Sequence, residues 1–583
     1  MRVPRSLCSL RITRSLCTTT ARARSKSRAV ANSIRTWRGV RRGLQLWLAV
    51  LAAGGALLIA AAVESTARAS GGAERGTLEI AFRTGDLDYV DPALAYTTAS
   101  WALLHAACAR LMNYPDQPPP AGLRVVPEVA AGPPRISSDG KTFTFKIRGG
   151  FRFSDGTPVR ASAFERAIVR TLAPGIRSPG AQYTQDIVGA QALQSGQSTT
   201  LAGVVARGSQ LVIKLRRPIP DFAARTTMPF FCAVPPNLPV DPEGVGAFPS
   251  AGPYFVSEYV RGERAVLSRN PFYGGARPHR VKRFLVDLRG GGDDEVIARV
   301  ESGQADWGLA AAPFYLDPEK KLVAKYGVNR GRLFVKPGLQ LRAYVLNTSR
   351  PLFRDNLALR QAVNFAVDRT ALLRAGGGGS LLSGRPTDQY LPPSMPGFRD
   401  ARIYPLAAPD LPRARALARG HLRSAKAVLW TFAFPPAIAQ AQIVKRNLRK
   451  IGVDVEVKGL PPPALFSRVA QPNAAFDIAF FNFSADYVDP FSFTNLFFDS
   501  RFLGANNWAH FNSPKYDRLL RRAAGLQGDA RYRAYGALDV QLARDAAPMV
   551  AVAYENTVTL VSKRGGCVVL NFTGLNLAAA CLK

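Results

Sequence analysis

The chain has 583 residues, 47% of them hydrophobic, and a formal net charge of +36. That length exceeds what one hydrophobic core supports and predicts two or three domains, while the ordinary apolar content excludes a disordered or fibrous chain. Twelve Arg and Lys residues and no acid fall in residues 1–43, leaving +24 of the charge for the remainder.

That basic leader precedes residues 44–63, whose single polar side chain is Gln45. A helix of such length crosses roughly 30 Å of hydrocarbon, and the Arg41-Arg42 pair before it keeps the leader in the cytoplasm. Ala67-Arg68-Ala69 has the small-x-small form that signal peptidase accepts. Residues 1–43 therefore read as a basic cytoplasmic leader and 44–69 as a signal peptide or a membrane anchor, both outcomes being open. Everything beyond lies on the extracellular side of the cytoplasmic membrane, secreted or anchored. The leader shows no recognition fold, so no nucleic-acid partner is expected.

Outside the membrane, thiols tend to be oxidised. Cys108, Cys232, Cys567 and Cys581 lie in the exported part. Cys567 and Cys581 enclose a short C-terminal loop, which favours that pair and leaves Cys108 with Cys232; four free thiols are the alternative. There is no CxxC, and His105, His279, His421 and His510 are scattered, so no metal site and no cofactor are expected.

Residues 77–82 read as a strand, and 98–112 as a helix burying Trp101, Leu104 and Cys108. The turn Ser138-Asp139-Gly140 leads into a period-two strand at 141–148, and Ser154-Asp155-Gly156 marks a second hairpin. A strand at 211–215 follows, then a Pro-dense crossing between domains at 235–253. Strands at 264–269 and 283–288, a helix at 293–302 and a strand at 305–309 come next. A mostly apolar strand at 341–347 precedes a helix at 356–374. The glycine run 376–379 lacks the Lys-Ser/Thr of a phosphate loop and reads as a flexible connection. A strand at 427–434, a helix at 438–450 and a strand at 453–457 have the spacing of a parallel crossover. A strand at 476–483, helices at 517–522 and 530–545, and a long apolar strand at 548–561 complete the chain.

The strand at 476–483 ends in Ser484-Ala485-Asp486-Tyr487-Val488-Asp489-Pro490. Open α/β sheets place ligands at the carboxyl ends of their strands, and a carboxylate fixed there beside aromatic rings suits a cationic group. Asp486 reads as that anchor or as a turn carboxylate, and Asp489, before Pro490, as a shaper of the turn. Trp430, Phe432, Phe483, Tyr487 and Trp508 read as pocket lining or as core.

Val126-Pro127-Glu128, the Ser138-Asp139-Gly140 and Ser154-Asp155-Gly156 hairpins, Gly252-Pro253-Tyr254, Arg269-Asn270-Pro271-Phe272-Tyr273, residues 359–369, Leu391-Pro392-Pro393 and the Asp486 motif form an ordered set. As a set it resembles the family 5 extracellular solute-binding proteins of ABC importers, the dipeptide, oligopeptide and nickel-binding group, over residues 77–583. The resemblance implies an α/β, three-domain periplasmic-binding-protein-like fold (class II, cluster C) with two hinge-crossing strands near 341–347 and 549–558. Domain I would hold 76–112, 245–338 and 552–583, domain II 113–244, and domain III 339–551. It also implies a monomeric, non-enzymatic receptor that captures a small solute, most often a peptide, and delivers it to a membrane permease driven by ATPase subunits. In the peptide-binding members, the carboxylate matching Asp486 holds the ligand's α-amino group. Asn482, Phe483 and Ser484 would then offer backbone to an extended peptide, and Tyr96, Thr97 and Thr98 match a cleft-facing position, with a helix N-cap as the alternative.

The chain departs from those members in having no lipidated cysteine and no evident arginine clamp for a peptide carboxylate. Oligosaccharides, nickel chelates and other solutes stay open as ligands. A membrane-anchored sensor with the same fold is the alternative function. A secreted hydrolase stands behind it, because neither GxSxG nor HExxH occurs.

Overall fold

The computed structural model describes residues 76–308, 319–375, 380–424 and 426–583. The leader, segment 44–69 and the glycine run 376–379 lie outside those residues. Among the described residues no helix is long and apolar enough to cross a membrane.

Strand β1 (Thr77–Ala81) leads to helix α1 (Thr98–Ala107). Thr97 caps the helix, its hydroxyl accepting the Ser100 N–H at 3.2 Å. The helix stops short of the expected residue 112. Cys108 turns extended and is bridged to Cys232, and the Ala233 N–H donates to the Ala109 carbonyl at 2.9 Å, so the backbone leaves the helix to join a neighbouring segment. A second disulfide joins Cys567 to Cys581. Both pairings are those the spacing favours.

A small antiparallel sheet follows: β2 (Arg135–Ile136), β3 (Thr142–Lys146), β4 (Val204–Arg207) and β5 (Gln210–Lys214), in the order β2-β3-β5-β4. The first turn is made by Gly140 at φ +69° and by Asp139, whose Oδ1 accepts the Lys141 N–H at 3.0 Å. Alternate residues Phe143 and Phe145 face the core that also buries Phe164 and Ile168 of α2 (Ala161–Leu172).

The long sheet takes β1 together with β6 (Tyr254–Val260), β7 (Arg264–Arg269), β8 (Arg283–Asp287), β9 (Trp307–Gly308), β10 (Leu333–Leu346), β11 (Gly384–Pro386), β12 (Lys426–Phe432), β13 (Asp454–Leu460), β14 (Ile478–Ser484) and β15 (Met549–Val561). Its order is β13-β12-β14-β10-β15-β9-β1-β8-β7-β6, with β11 on β15. The central pair, β10 and β15, runs antiparallel from Leu333 opposite Leu560 to Val345 opposite Met549. β10 is buried from Gly338 onward and β15 over nearly its whole length. β10 begins well before the expected 341, and its register shifts after Pro337, a residue that cannot donate to a ladder.

These two strands join the flank β1, β6–β9 to the flank β12–β14. In the second flank, α3 (Pro435–Arg449) connects β12 to the parallel β13, which is the crossover expected from the spacing. The helix expected over 356–374 is two helices, α4 (Leu357–Ala366) and α5 (Arg369–Ala375). Val367 is extended between them, and Asp368 starts the second by accepting the Ala371 N–H at 2.8 Å while its own N–H is held by Asn447. Helices α6 (Pro462–Val469), α7 (Phe491–Phe498), α8 (Pro514–Gly525) and α9 (Gly528–Asp545) also belong to this flank, as does the helix Leu411–Ala418.

Candidate ligand-binding site

β12 pairs with β13 along its whole length but with β14 at only two positions, Leu429 with Ile478 and Trp430 with Ala479. Beyond Ala479, β14 keeps β10 as its ladder partner on one edge. Where β12 and β14 part, a cavity of about 850 Å³ opens, lined by every residue from 481 to 486. Its other lining residues include Arg83, Asp86, Asp88, Tyr96, Thr97, Trp101 and Thr573 from the β1 flank, and Phe432, Phe434, Phe466, Phe497, Asn506 and Trp508 from the β12–β14 flank.

Asp486 stands at the end of β14 and is 5% exposed. Two hydroxyls converge on its Oδ2: that of Tyr96 at 3.0 Å and that of Tyr183, which is itself buried. Oδ1 has no hydrogen-bond partner among the described residues, and no cation there pairs with the carboxylate. Burial pushes its pKa up to about 7, against the opposing pull of the two tyrosine hydroxyls. It is thus a buried carboxylate with no charge partner on a cavity wall, which is costly in free energy unless something cationic completes it.

Asp489 has the opposite surroundings. Arg531 grips it with two hydrogen bonds, at 3.0 and 2.7 Å, and its Oδ1 accepts the Phe491 N–H at 2.9 Å. The same guanidinium lies 3.2 Å from Asp221, which also pairs with Arg225 at 2.8 Å. Burial alone would raise Asp221, but these two arginines bring it down to about 2. Asp489 therefore fixes the turn into α7 (Phe491–Phe498), as the sequence implies.

The predicted residues divide. Tyr96, Thr97, Asn482, Phe483, Ser484, Asp486 and Trp508 line the cavity. Trp430 and Tyr487 are not among the described lining residues. Trp430 precedes the strand end, and its ring lies 5.2 Å from that of Phe476, whereas Phe432 reaches the cavity two residues later. Tyr487 is turned to the reverse side, where its hydroxyl donates to Asp221 Oδ2 at 2.6 Å. The Asn482 side chain donates to Glu555 Oε2 at 2.5 Å. Sequence reasoning missed Tyr183, which sits in a one-turn helix with no periodic signal, and Phe466, whose exposure in α6 looks unremarkable without the cavity beside it.

A family model described as bacterial extracellular solute-binding proteins, family 5, middle, matches residues 124–504. The chain belongs to that family. This family 5 receptor is 26% identical over 407 residues to the oligopeptide-binding protein OppA of Bacillus subtilis, a match covering 66% of this chain and 72% of the relative. It is 25% identical over 451 residues to the probable D,D-dipeptide-binding periplasmic protein DdpA of Escherichia coli, covering 76% and 81%. The solved structure of the clavulanic acid biosynthesis oligopeptide binding protein 2 matches with a TM-score of 0.78 at 25% identity, over 87% of this chain and 95% of that one. The architecture is accordingly the periplasmic-binding-protein fold of family 5, and the protein is a solute-binding receptor of the kind that serves ABC importers.

Proposed function

We propose that this receptor captures a peptide by its amino terminus and hands it to a membrane permease driven by ATPase subunits. The observation that carries this reading is Oδ1 of Asp486, which faces the cavity from a buried carboxylate and has neither a hydrogen-bond partner nor a cation among the described residues. An α-ammonium placed there would make a charge-assisted hydrogen bond in a low-dielectric site. The stretch of β14 beyond Ala479, with a ladder partner on β10 and the cavity beside it, offers backbone groups to an extended chain. The names of the two relatives, oligopeptide-binding and dipeptide-binding, point the same way.

In this reading, residues 76–112, 245–338 and 552–583 form domain I, 113–244 domain II, and 339–551 domain III, hinged on β10 and β15. The receptor works as a monomer on the extracellular side of the cytoplasmic membrane, with residues 44–69 as its signal peptide or anchor. Native mass spectrometry of the full chain mixed with peptides and their N-acetylated forms tests the proposal. Retention of free-amine peptides and loss of the acetylated ones is expected. Equal retention of both forms, or retention of oligosaccharides in their place, would sink it.

A further inference from the structure

Beyond the amine anchor, the cavity has little built for a second charge. Arg83 is the cation among its described lining residues, and it is paired with Asp86 at 3.0 Å and with Asp293 at 3.4 Å. Asp88 is equally occupied: it accepts the backbone N–H of Tyr89 and of Tyr96 and the hydroxyls of Thr97 and Ser100. What the cavity has in quantity is aromatic surface. Phe432, Phe466, Trp508, Phe481, Phe497 and Phe483 form an unbroken chain of ring contacts, with successive centroids 5.7, 5.7, 5.4, 4.8 and 4.7 Å apart. All six line the cavity. The chain ends at Phe483, three residues from Asp486; its exposed ring is Phe466, 49% exposed and second from the opposite end, while Phe481 and Phe497 between them are buried.

An exposed phenylalanine on a continuous aromatic wall leaves apolar area in water that a ligand side chain can remove. The Phe483 end of the wall lies three residues from the carboxylate and all six rings line the same cavity, so one ligand can reach both the carboxylate and the exposed ring. We infer that this receptor selects peptides by a large apolar or aromatic side chain near the free amino terminus, held on the Phe432–Phe483 wall, and does not clamp the peptide's carboxyl end. The inference rests on the peptide reading above and adds the class of peptide to it. Side-chain selection follows from area: burying a phenyl or isobutyl group is worth roughly a ten- to hundredfold gain in affinity over alanine. Tolerance at the carboxyl end follows because no free cation lines the described wall.

The test is calorimetric titration of the full chain with three synthetic tripeptide sets, Xaa-Ala-Ala, Ala-Xaa-Ala and Ala-Ala-Xaa, where Xaa is Phe, Leu, Ala, Ser or Glu. At one of the first two positions, Phe and Leu should bind at least tenfold tighter than Ser or Glu, and amidating the carboxyl terminus should change affinity less than threefold. Phe466→Ser, at a half-exposed position, should shrink the ratio of Phe to Ala affinity at that position severalfold. Binding of all tripeptides with equal affinity would overturn the side-chain selection and leave the peptide reading standing. A loss of more than tenfold on amidation would overturn the unclamped carboxyl end. Failure of every tripeptide to bind would overturn both readings together.

Discussion

Asp486 and Asp489 lie three residues apart, and both are buried, at 5% and 3% exposure. Asp489 is sealed: Arg531 takes both its oxygens, and a further backbone N–H completes it. Asp486 receives two tyrosine hydroxyls on one oxygen and, among the described residues, no cation. The same residue type at the same depth is thus structural in one place and poised in the other, and the difference is made by residues distant in sequence. Arg531 comes from α9, while Tyr96 and Tyr183 come from the loop before α1 and from the region of the small sheet. A buried carboxylate is informative about function only once its partners are counted.

The widest gap between the two should appear in stability. Arg531→Ala leaves Asp489 without its cation and takes one of two from Asp221, so unfolding by urea should reveal a loss of about 3–5 kcal/mol. Asp486→Asn should cost nothing comparable and should stabilise the empty protein slightly, because it removes an unpaired buried carboxyl. A large loss in Asp486→Asn would mean that Asp486 is structural too. In ligand affinity the order reverses. Asp486→Ala should weaken binding of a free-amine peptide by roughly 1.5–3 kcal/mol, the range for hydrogen bonds to charged groups, as read by calorimetry. Unchanged affinity would remove Asp486 from the site.

Much of this architecture is legible in the chain itself. Most strands of the long sheet, though neither β6 nor β11, the crossover from β12 to β13 and the Cys567–Cys581 bridge follow from alternation, spacing and turn chemistry, which are local signals, and Cys108–Cys232 is the pair then left over. The motif at the end of β14 could be placed at a strand end for the same reason. What decides the roles of its acids is not local. Tyr183 reaches Asp486 across 303 residues of sequence, and Tyr487 reaches Asp221 across 266. Trp430 looked like pocket lining because strand alternation gives its face but not where the strand's neighbour ends. The helix expected over 356–374 fails for a related reason: its break is stabilised by Asn447, a tertiary partner that periodicity does not contain.

The pH dependence sharpens the comparison further. With Asp486 pushed up to about 7 by burial, the empty site holds a proton in mild acid, and a cationic ligand must displace it. Affinity should fall about tenfold per pH unit below 7 and fall again above about 8, where the peptide's α-amino group loses its own proton. Stability of the empty protein should move oppositely. The folded pKa exceeds the unfolded value, so this group's contribution is fully present below about 4 and is lost as pH rises through 7. Asp539, also raised to about 7 by burial, acts in the same direction, so Asp486→Asn should reduce the slope of stability against pH without abolishing it. An unaltered slope in Asp486→Asn would contradict the raised pKa.

The smallest expected effect tests how the open carboxylate is held. The Tyr183 hydroxyl lowers the Asp486 pKa by donating to it, so Tyr183→Phe should let that pKa climb and should weaken ligand binding at pH 7 by about 0.5–1.5 kcal/mol. Two causes are separable by repeating the titration at pH 8. If the hydroxyl acts by keeping the carboxylate ionised, the deficit shrinks as pH rises, because more of the carboxyl ionises without help. If it acts by fixing the direction in which Oδ1 points, the deficit persists at both pH values. The proton count on binding distinguishes the two independently: calorimetry in buffers of different ionisation enthalpy should show more protons released by Tyr183→Phe than by the parent at pH 7 under the first cause, and the same number under the second.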